Sequence, residues 1–131
     1  MQMARKATGR PTDLELEILK VLWDRGPSTV SQVQEVMAMA RPITYTTVLK
    51  TLQIMTEKRL VVPDKSQRAY IYRPRESRST VVRRLVGDLL QRVLDGSTSQ
   101  LVLHALAHRR AKPEELEEIR KLLDEAEGGR K

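Results

Sequence analysis

Thr46, Thr47, Lys50 and Gln53 recur at the spacing of one helix face, opposite the apolar positions Val48, Leu52 and Met55. Short hydroxyl side chains let a helix backbone come close to a base edge, and a lysine reaches phosphate or guanine. That pattern suits the major groove of double-stranded DNA. Tyr45 opens the same helix, where its hydroxyl could meet a phosphate or its ring could pack. The turn Asp64-Lys65-Ser66-Gln67 and the neighbouring Arg68 follow between two short β-branched or aromatic segments. Lys65 and Arg68 are placed to hold phosphates, contacts that position a protein without reading sequence.

His104 and His108 are four apart and would share a helix face, a spacing that can hold a metal. The residues between them are Ala-Leu-Ala, without the glutamate of a zinc hydrolase, and no nearby Asp completes a set. The chain contains no cysteine, which removes disulfides, thiolate catalysis and cysteine-based zinc sites. Neither a glycine-rich phosphate loop nor a Ser-His-Asp arrangement is found. These readings predict a protein that is not an enzyme and carries no cofactor or metal.

The elements around the candidate face are legible from caps and periodicity. Thr12 with Glu15 reads as a capping box, followed by Leu14, Ile18, Val21 and Leu22 at helical spacing up to Trp23; Gly26-Pro27 stops this helix. Ser28 to Val30 reads as a short strand paired with the later ones. Ser31 with Gln34 reads as a second capping box, for a helix carrying Val33, Val36 and Met37 and ending near Arg41-Pro42. Thr44 caps the third helix, and strands are expected at Leu60 to Val62 and Ala69 to Arg73. Helix, strand, helix, helix, strand, strand is the order of a winged helix-turn-helix. Beyond it the chain reads as all helical: Ser77 or Ser79 opens a helix with a wide Val/Leu stripe from Val81 to Leu94, Ser97 with Gln100 opens another, and Pro113-Glu114-Glu115 a third.

In its 131 residues the chain carries a formal net charge of +7. The excess is uneven. Residues 1–75 hold 13 Lys+Arg against 7 Asp+Glu, and residues 76–131 hold 11 against 10. The basic balance therefore sits with the candidate reading head, which favours a polyanionic partner. No apolar run reaches about 18 residues, so no membrane insertion is expected, and a cytoplasmic location follows. Three short helices bury too little surface to close a core alone, which points to a second copy of the same segment in a two-fold dimer.

These residues resemble the BlaI/MecI family of penicillinase repressors, within the wider group that includes the CopY-type copper repressors. The resemblance runs over about residues 11 to 125. It rests on Leu14-Glu-Leu-Glu-Ile-Leu-Lys-Val-Leu-Trp23, on Tyr45-Thr-Thr-Val48 with Leu52 and Glu57-Lys58-Arg59-Leu60-Val61, on Tyr70-Ile-Tyr-Arg-Pro74, and on Leu101-Val-Leu103 with the helix from Glu114 to Leu123. It implies a homodimer that binds a palindromic operator and blocks transcription, and release through proteolysis by a membrane-bound sensor peptidase. The implied base-reading positions are Thr46, Thr47, Lys50 and Ile54, the last standing where a cation is common. The implied scissile pair is His104-Ala105, where the family's best-known members have Asn-Phe. The paired cysteines of the copper repressors are absent.

The expectation is a mainly α chain with a small antiparallel sheet: a basic flexible arm over residues 1–10, a winged helix-turn-helix DNA-binding domain over 11–75, and a helical dimerisation domain over 76–131. The arm's Arg5, Lys6 and Arg10 fit either a minor groove or a solvated tail. The expected function is a sequence-specific repressor. Two alternatives stand beside it: a ligand-gated winged-helix regulator of another family, and a winged-helix adaptor whose third helix meets a protein.

Overall fold

Thr12 closes the first helix by the reciprocal pair read from sequence. Its hydroxyl accepts from the Glu15 N–H at 3.2 Å, and its own N–H donates to Glu15 Oε1 at 2.9 Å. The computed structural model describes residues 10–128, so Arg5 and Lys6 of the expected arm lie outside the described residues. Helix α1 (Asp13–Arg25) buries Ile18, Leu19 and Leu22 on one stripe. It stops at Gly26, whose φ of 101° favours a residue without a Cβ and whose N–H returns to the Leu22 carbonyl at 2.8 Å.

The second capping box lies two residues earlier than sequence reading placed it. Thr29, not Ser31, is the cap of α2 (Val30–Ala38): its hydroxyl accepts from Gln32 N–H at 3.2 Å, and Gln32 Oε1 accepts from the Thr29 N–H at 2.9 Å. Val30 is thereby inside the helix and in the core at 6% exposure rather than in a strand. Gln34, freed from capping, donates to the Ile43 carbonyl at 2.9 Å and so braces the turn into the next helix. That turn starts sooner than expected, because α2 ends at Ala38 and the N–H groups of Met39, Ala40 and Arg41 fold back onto Val36 and Met37 carbonyls.

Helix α3 (Tyr45–Glu57) is capped by Thr44, as its sequence suggests, and buries Val48, Leu52 and Met55 completely. Its exit is tight: Arg59 adopts φ 65° and Leu60 N–H bonds back to Met55 O at 2.8 Å. Strands β1 (Val61–Asp64) and β2 (Ile71–Pro74) pair antiparallel, with Val61 opposite Pro74 and Asp64 opposite Ile71. Ser28 contributes an isolated bridge to Tyr72, with both bonds made (3.0 and 2.8 Å). Because Tyr72 turns its N–H and C=O toward Ser28, its β1 neighbour Pro63 loses no ladder bond by lacking an N–H. The apolar residues of α1, α2, α3, β1 and Tyr72 form one core, each fully buried aliphatic contributing about 1.5–3 kcal/mol.

One buried polar contact joins distant parts of this head. Glu15, 3% exposed, receives Lys58 Nζ on both oxygens, at 2.9 and 3.1 Å. The pair links the first turn of α1 to the C-cap of α3.

The remaining helices are α4 (Arg78–Arg92), opened by Ser77, α5 (Thr98–His108), capped by Ser97, and α6 (Pro113–Gly128). The chain divides into two compact units between Arg84 and Leu85, inside α4. A stripe as wide as that of α4 calls for burial on more than one side. Val81 alone is buried in α4, and α5 and α6 bury nothing. Leu89, Val93, Leu103, Leu122 and Leu123 are 41–66% exposed, because the single chain offers nothing to cover them.

Replacing Glu15 by Ala strands the Lys58 ammonium, and urea unfolding should then register a loss of about 3 kcal/mol. The double change Glu15→Leu with Lys58→Met should recover most of it. A single-variant loss below about 1 kcal/mol would place this pair among ordinary surface ion pairs and contradict the reading.

Candidate nucleic-acid interface

The outward face of α3 is what remains after its core stripe is subtracted. Tyr45, Thr46, Thr47, Lys50, Gln53 and Ile54 are all exposed, with Tyr45 at 49% and Ile54 at 48%. Among the described residues, the side chains of Thr46, Lys50 and Gln53 take part in no hydrogen bond or ion pair. Thr47 is half committed: its Oγ1 accepts from the Thr44 hydroxyl at 3.0 Å and keeps its own proton for an outside acceptor. Thr51, further round the helix, returns its hydroxyl to the Thr47 carbonyl at 2.7 Å. The helix thus presents two threonine hydroxyls, an amide and an ammonium to solvent on a rigid base.

The turn between β1 and β2 is folded by Asp64. Its Oδ1 accepts from the Ser66 N–H at 3.0 Å and the Ser66 hydroxyl at 2.7 Å. Those two bonds, the backbone one first, hold the carboxyl below its ordinary value, with Arg73 adding a smaller pull. The anion is therefore occupied within the turn. Lys65 lies over the Tyr70 ring, 5.7 Å from its centroid, and Arg68 is exposed. Tyr45 and Tyr70 lie near enough to Tyr72 to raise its hydroxyl pKa, after the larger effect of burial. Tyr45 opens α3, and Tyr70 stands at the turn end of the hairpin just before β2. Tyr70 was not singled out from sequence as a site residue: it precedes β2 at the end of the turn, and its two-residue spacing from the core residue Tyr72 gave no sign that it is exposed.

The head's ion pairs include Arg41–Glu17, Lys58–Glu15, Arg78–Asp24 and Arg84–Glu76. None takes Lys50, Lys65 or Arg68. His104 and Ala105, the expected cleavage pair, are exposed in the middle of α5, remote in sequence from this face. The structure thus places the seven expected DNA-contacting residues on two consecutive pieces of the head, and the expected cleavage pair in the other unit.

Comparison with known proteins adds independent information. The family profile described as penicillinase repressor matches residues 11–125. The chain is 36% identical over 120 residues to the transcriptional regulator BlaI of Mycobacterium tuberculosis (strain H37Rv), covering 89% of this chain and 85% of that protein. It is 23% identical over 120 residues to the penicillinase repressor of Bacillus licheniformis, covering 92% and 94%.

Since the exposed Lys50 and Gln53 side chains make no hydrogen bond or ion pair among the described residues, Lys50→Ala and Gln53→Ala should each change the unfolding free energy by less than about 0.5 kcal/mol. A larger loss in chemical denaturation would show that these side chains support the fold.

Proposed function

The chain belongs to the penicillinase repressor family, and on that premise of DNA-binding transcriptional repression we propose that it works as a homodimer on a palindromic operator. The observation that carries this reading is the exposed polar face of α3, with Lys50 in no ion pair, beside a hairpin whose Lys65 and Arg68 are likewise in no ion pair. In this reading α3 enters the major groove, and Thr46, Thr47 and Lys50 meet base edges or nearby phosphates. Ile54 packs against a thymine methyl. Tyr45, Lys65 and Arg68 hold flanking phosphates and set the register.

Residues 11–75 do the reading and residues 76–131 the self-association. Support for the second role is the open groove of ≈ 850 Å³ in the C-terminal unit, lined by Leu89, Val93, Leu101, Leu106 and Ile119 among others. Aliphatic side chains this exposed need a cover, and a second copy supplies one with the same chemistry. No helix among the described residues is long and apolar enough to cross a membrane, which accords with our assignment of the repressor to the cytoplasm. Relief by a membrane-bound sensor peptidase would fall at His104-Ala105. That bond lies within α5, so a peptidase that takes extended chain must first unwind this turn.

The test is fluorescence anisotropy of the purified protein on duplex DNA from upstream of its own gene, across salt and with unrelated DNA as competitor. We expect competitor-resistant binding whose logarithm falls steeply with the logarithm of salt. Lys50→Ala should weaken operator binding by about 1–3 kcal/mol and narrow the gap between operator and unrelated DNA, whereas Lys65→Ala should weaken both about equally and lower the salt slope by about 1. Binding erased equally by any DNA, or a Lys50→Ala protein that binds as wild type does, would overturn the assignment.

A further inference from the structure

Lys50 stands in the middle of the outward face of α3, opposite the buried stripe, and one turn further on that face divides between Gln53 and Ile54. Helix α3 carries no arginine, and the chain has no asparagine. The side chains of this face therefore differ in what they can read on a base. A threonine hydroxyl donates or accepts as its rotation allows, and a lysine is a point charge with three donors. Gln53 alone on this helix holds a donor and an acceptor side by side in one plane.

Two other glutamines of the head spend their amides inside the protein. Gln32 Oε1 accepts from the Thr29 N–H, and Gln34 Nε2 donates to the Ile43 carbonyl, both at 2.9 Å. The Gln53 amide is exposed and has no partner among the described residues. In water both its ends are hydrated. Docking strips that water, and an end left unmatched then costs free energy. The base edge that matches both ends in the major groove is adenine, with its N6–H donor beside its N7 acceptor. Guanine offers two acceptors there, thymine one acceptor and a methyl, and cytosine one donor, so each strands part of the amide.

Position along the helix agrees. From Thr46 to Gln53 is about 10 Å of helix, or about three base-pair steps. Ile54, beside Gln53, is exposed and suits a thymine methyl. One turn past Gln53 comes Glu57, an exposed acid that a phosphate backbone repels, so Gln53 is the last uncommitted hydrogen-bonding group the face offers before it turns acidic.

We infer that, with α3 in the major groove as proposed above, Gln53 reads an adenine of the half-site: Oε1 accepts from the adenine N6–H, and Nε2–H donates to N7.

The experiment uses the full-length protein and a duplex carrying the site footprinted on its own upstream DNA. Each base pair is replaced in turn, and affinity is read by anisotropy for wild type, Gln53→Ala and Gln53→Glu. Wild type should show an A·T pair at which replacement costs about tenfold. In Gln53→Ala that position should flatten to about twofold or less, while the other positions keep their profile. Gln53→Glu keeps the shape and loses the N–H donor, so the preference there should turn to cytosine, whose N4 amino group donates. A duplex with 7-deazaadenine at that position, which has C–H in place of N7, should cost wild type about fivefold and leave Gln53→Ala unchanged. A specific wild type without such an adenine overturns the inference and leaves the repressor reading standing. So does a Gln53→Ala or Gln53→Glu protein that still prefers adenine, or a wild type indifferent to 7-deazaadenine. A Gln53→Ala loss that is equal at every position also overturns it, because that is the mark of a phosphate contact. A wild type that binds all DNA alike takes down the major-groove reading, and the adenine contact with it.

Discussion

The buried contact between Glu15 and Lys58 is the constraint on which the geometry of the DNA-facing helix depends. Helix α3 is held to the rest of the head by one apolar stripe, Val48, Leu52 and Met55, with Leu49 packed beside it. Apolar packing is non-directional, and a helix seated on a few such side chains can roll or slide by small steps at little loss of buried area. Polar ties are directional. At the C-terminal end Lys58 reaches the carboxylate of Glu15, and at the N-terminal end Gln34 holds the Ile43 carbonyl just before the Thr44 cap. Each charge of the pair also sits where a helix dipole favours it, the carboxylate in the first turn of α1 and the ammonium at the end of α3. With both ends fixed, the polar face of α3 points in one direction.

The same carboxylate serves twice. Glu15 Oε1 accepts from the Thr12 N–H as well as from Lys58. The residue that starts α1 thereby orients α3. Fully satisfied buried networks of this kind specify one arrangement more than they add stability. In this head every described buried side-chain polar atom has a partner.

How much of this was legible in sequence follows from range. Local signals carried well: Thr12 with Glu15, Thr44 before α3 and the stop at Gly26 depend on residues within a few positions of one another. The polar face of α3 was legible for the same reason, since it is the complement of a regular apolar stripe. The second cap was misplaced because Thr29-x-x-Gln32 and Ser31-x-x-Gln34 are equally good local patterns. The deciding fact is long-range: Ser28 pairs with Tyr72, which fixes the chain in extended form up to Thr29 and starts the helix there. Lys58 to Glu15 spans 43 residues and Trp23 to Glu76 spans 53, and no short pattern announces either. The Val/Leu stripe of α4 was read correctly as apolar, but its burial requires surfaces the single chain does not provide.

Charge in the head is organised by position more than by amount. Its acids gather on α1, which carries Asp13, Glu15, Glu17 and Asp24, and three of these are matched by Lys58, Arg41 and Arg78. Helix α3 has a single acid, Glu57, at its far end, and the hairpin has Asp64, whose carboxylate is folded onto Ser66. Pairing leaves the net excess of the head unchanged, but it decides where that excess can be felt. An opposite charge a few ångströms away cancels most of a cation's field at distances beyond their separation, whereas an unmatched cation attracts out to about one Debye length. Helix α1 thus works as a sink for the anions that a protein of this composition must carry. The stretch from Tyr45 to Arg68 is left positive, and a phosphate backbone approaching the head meets attraction there first.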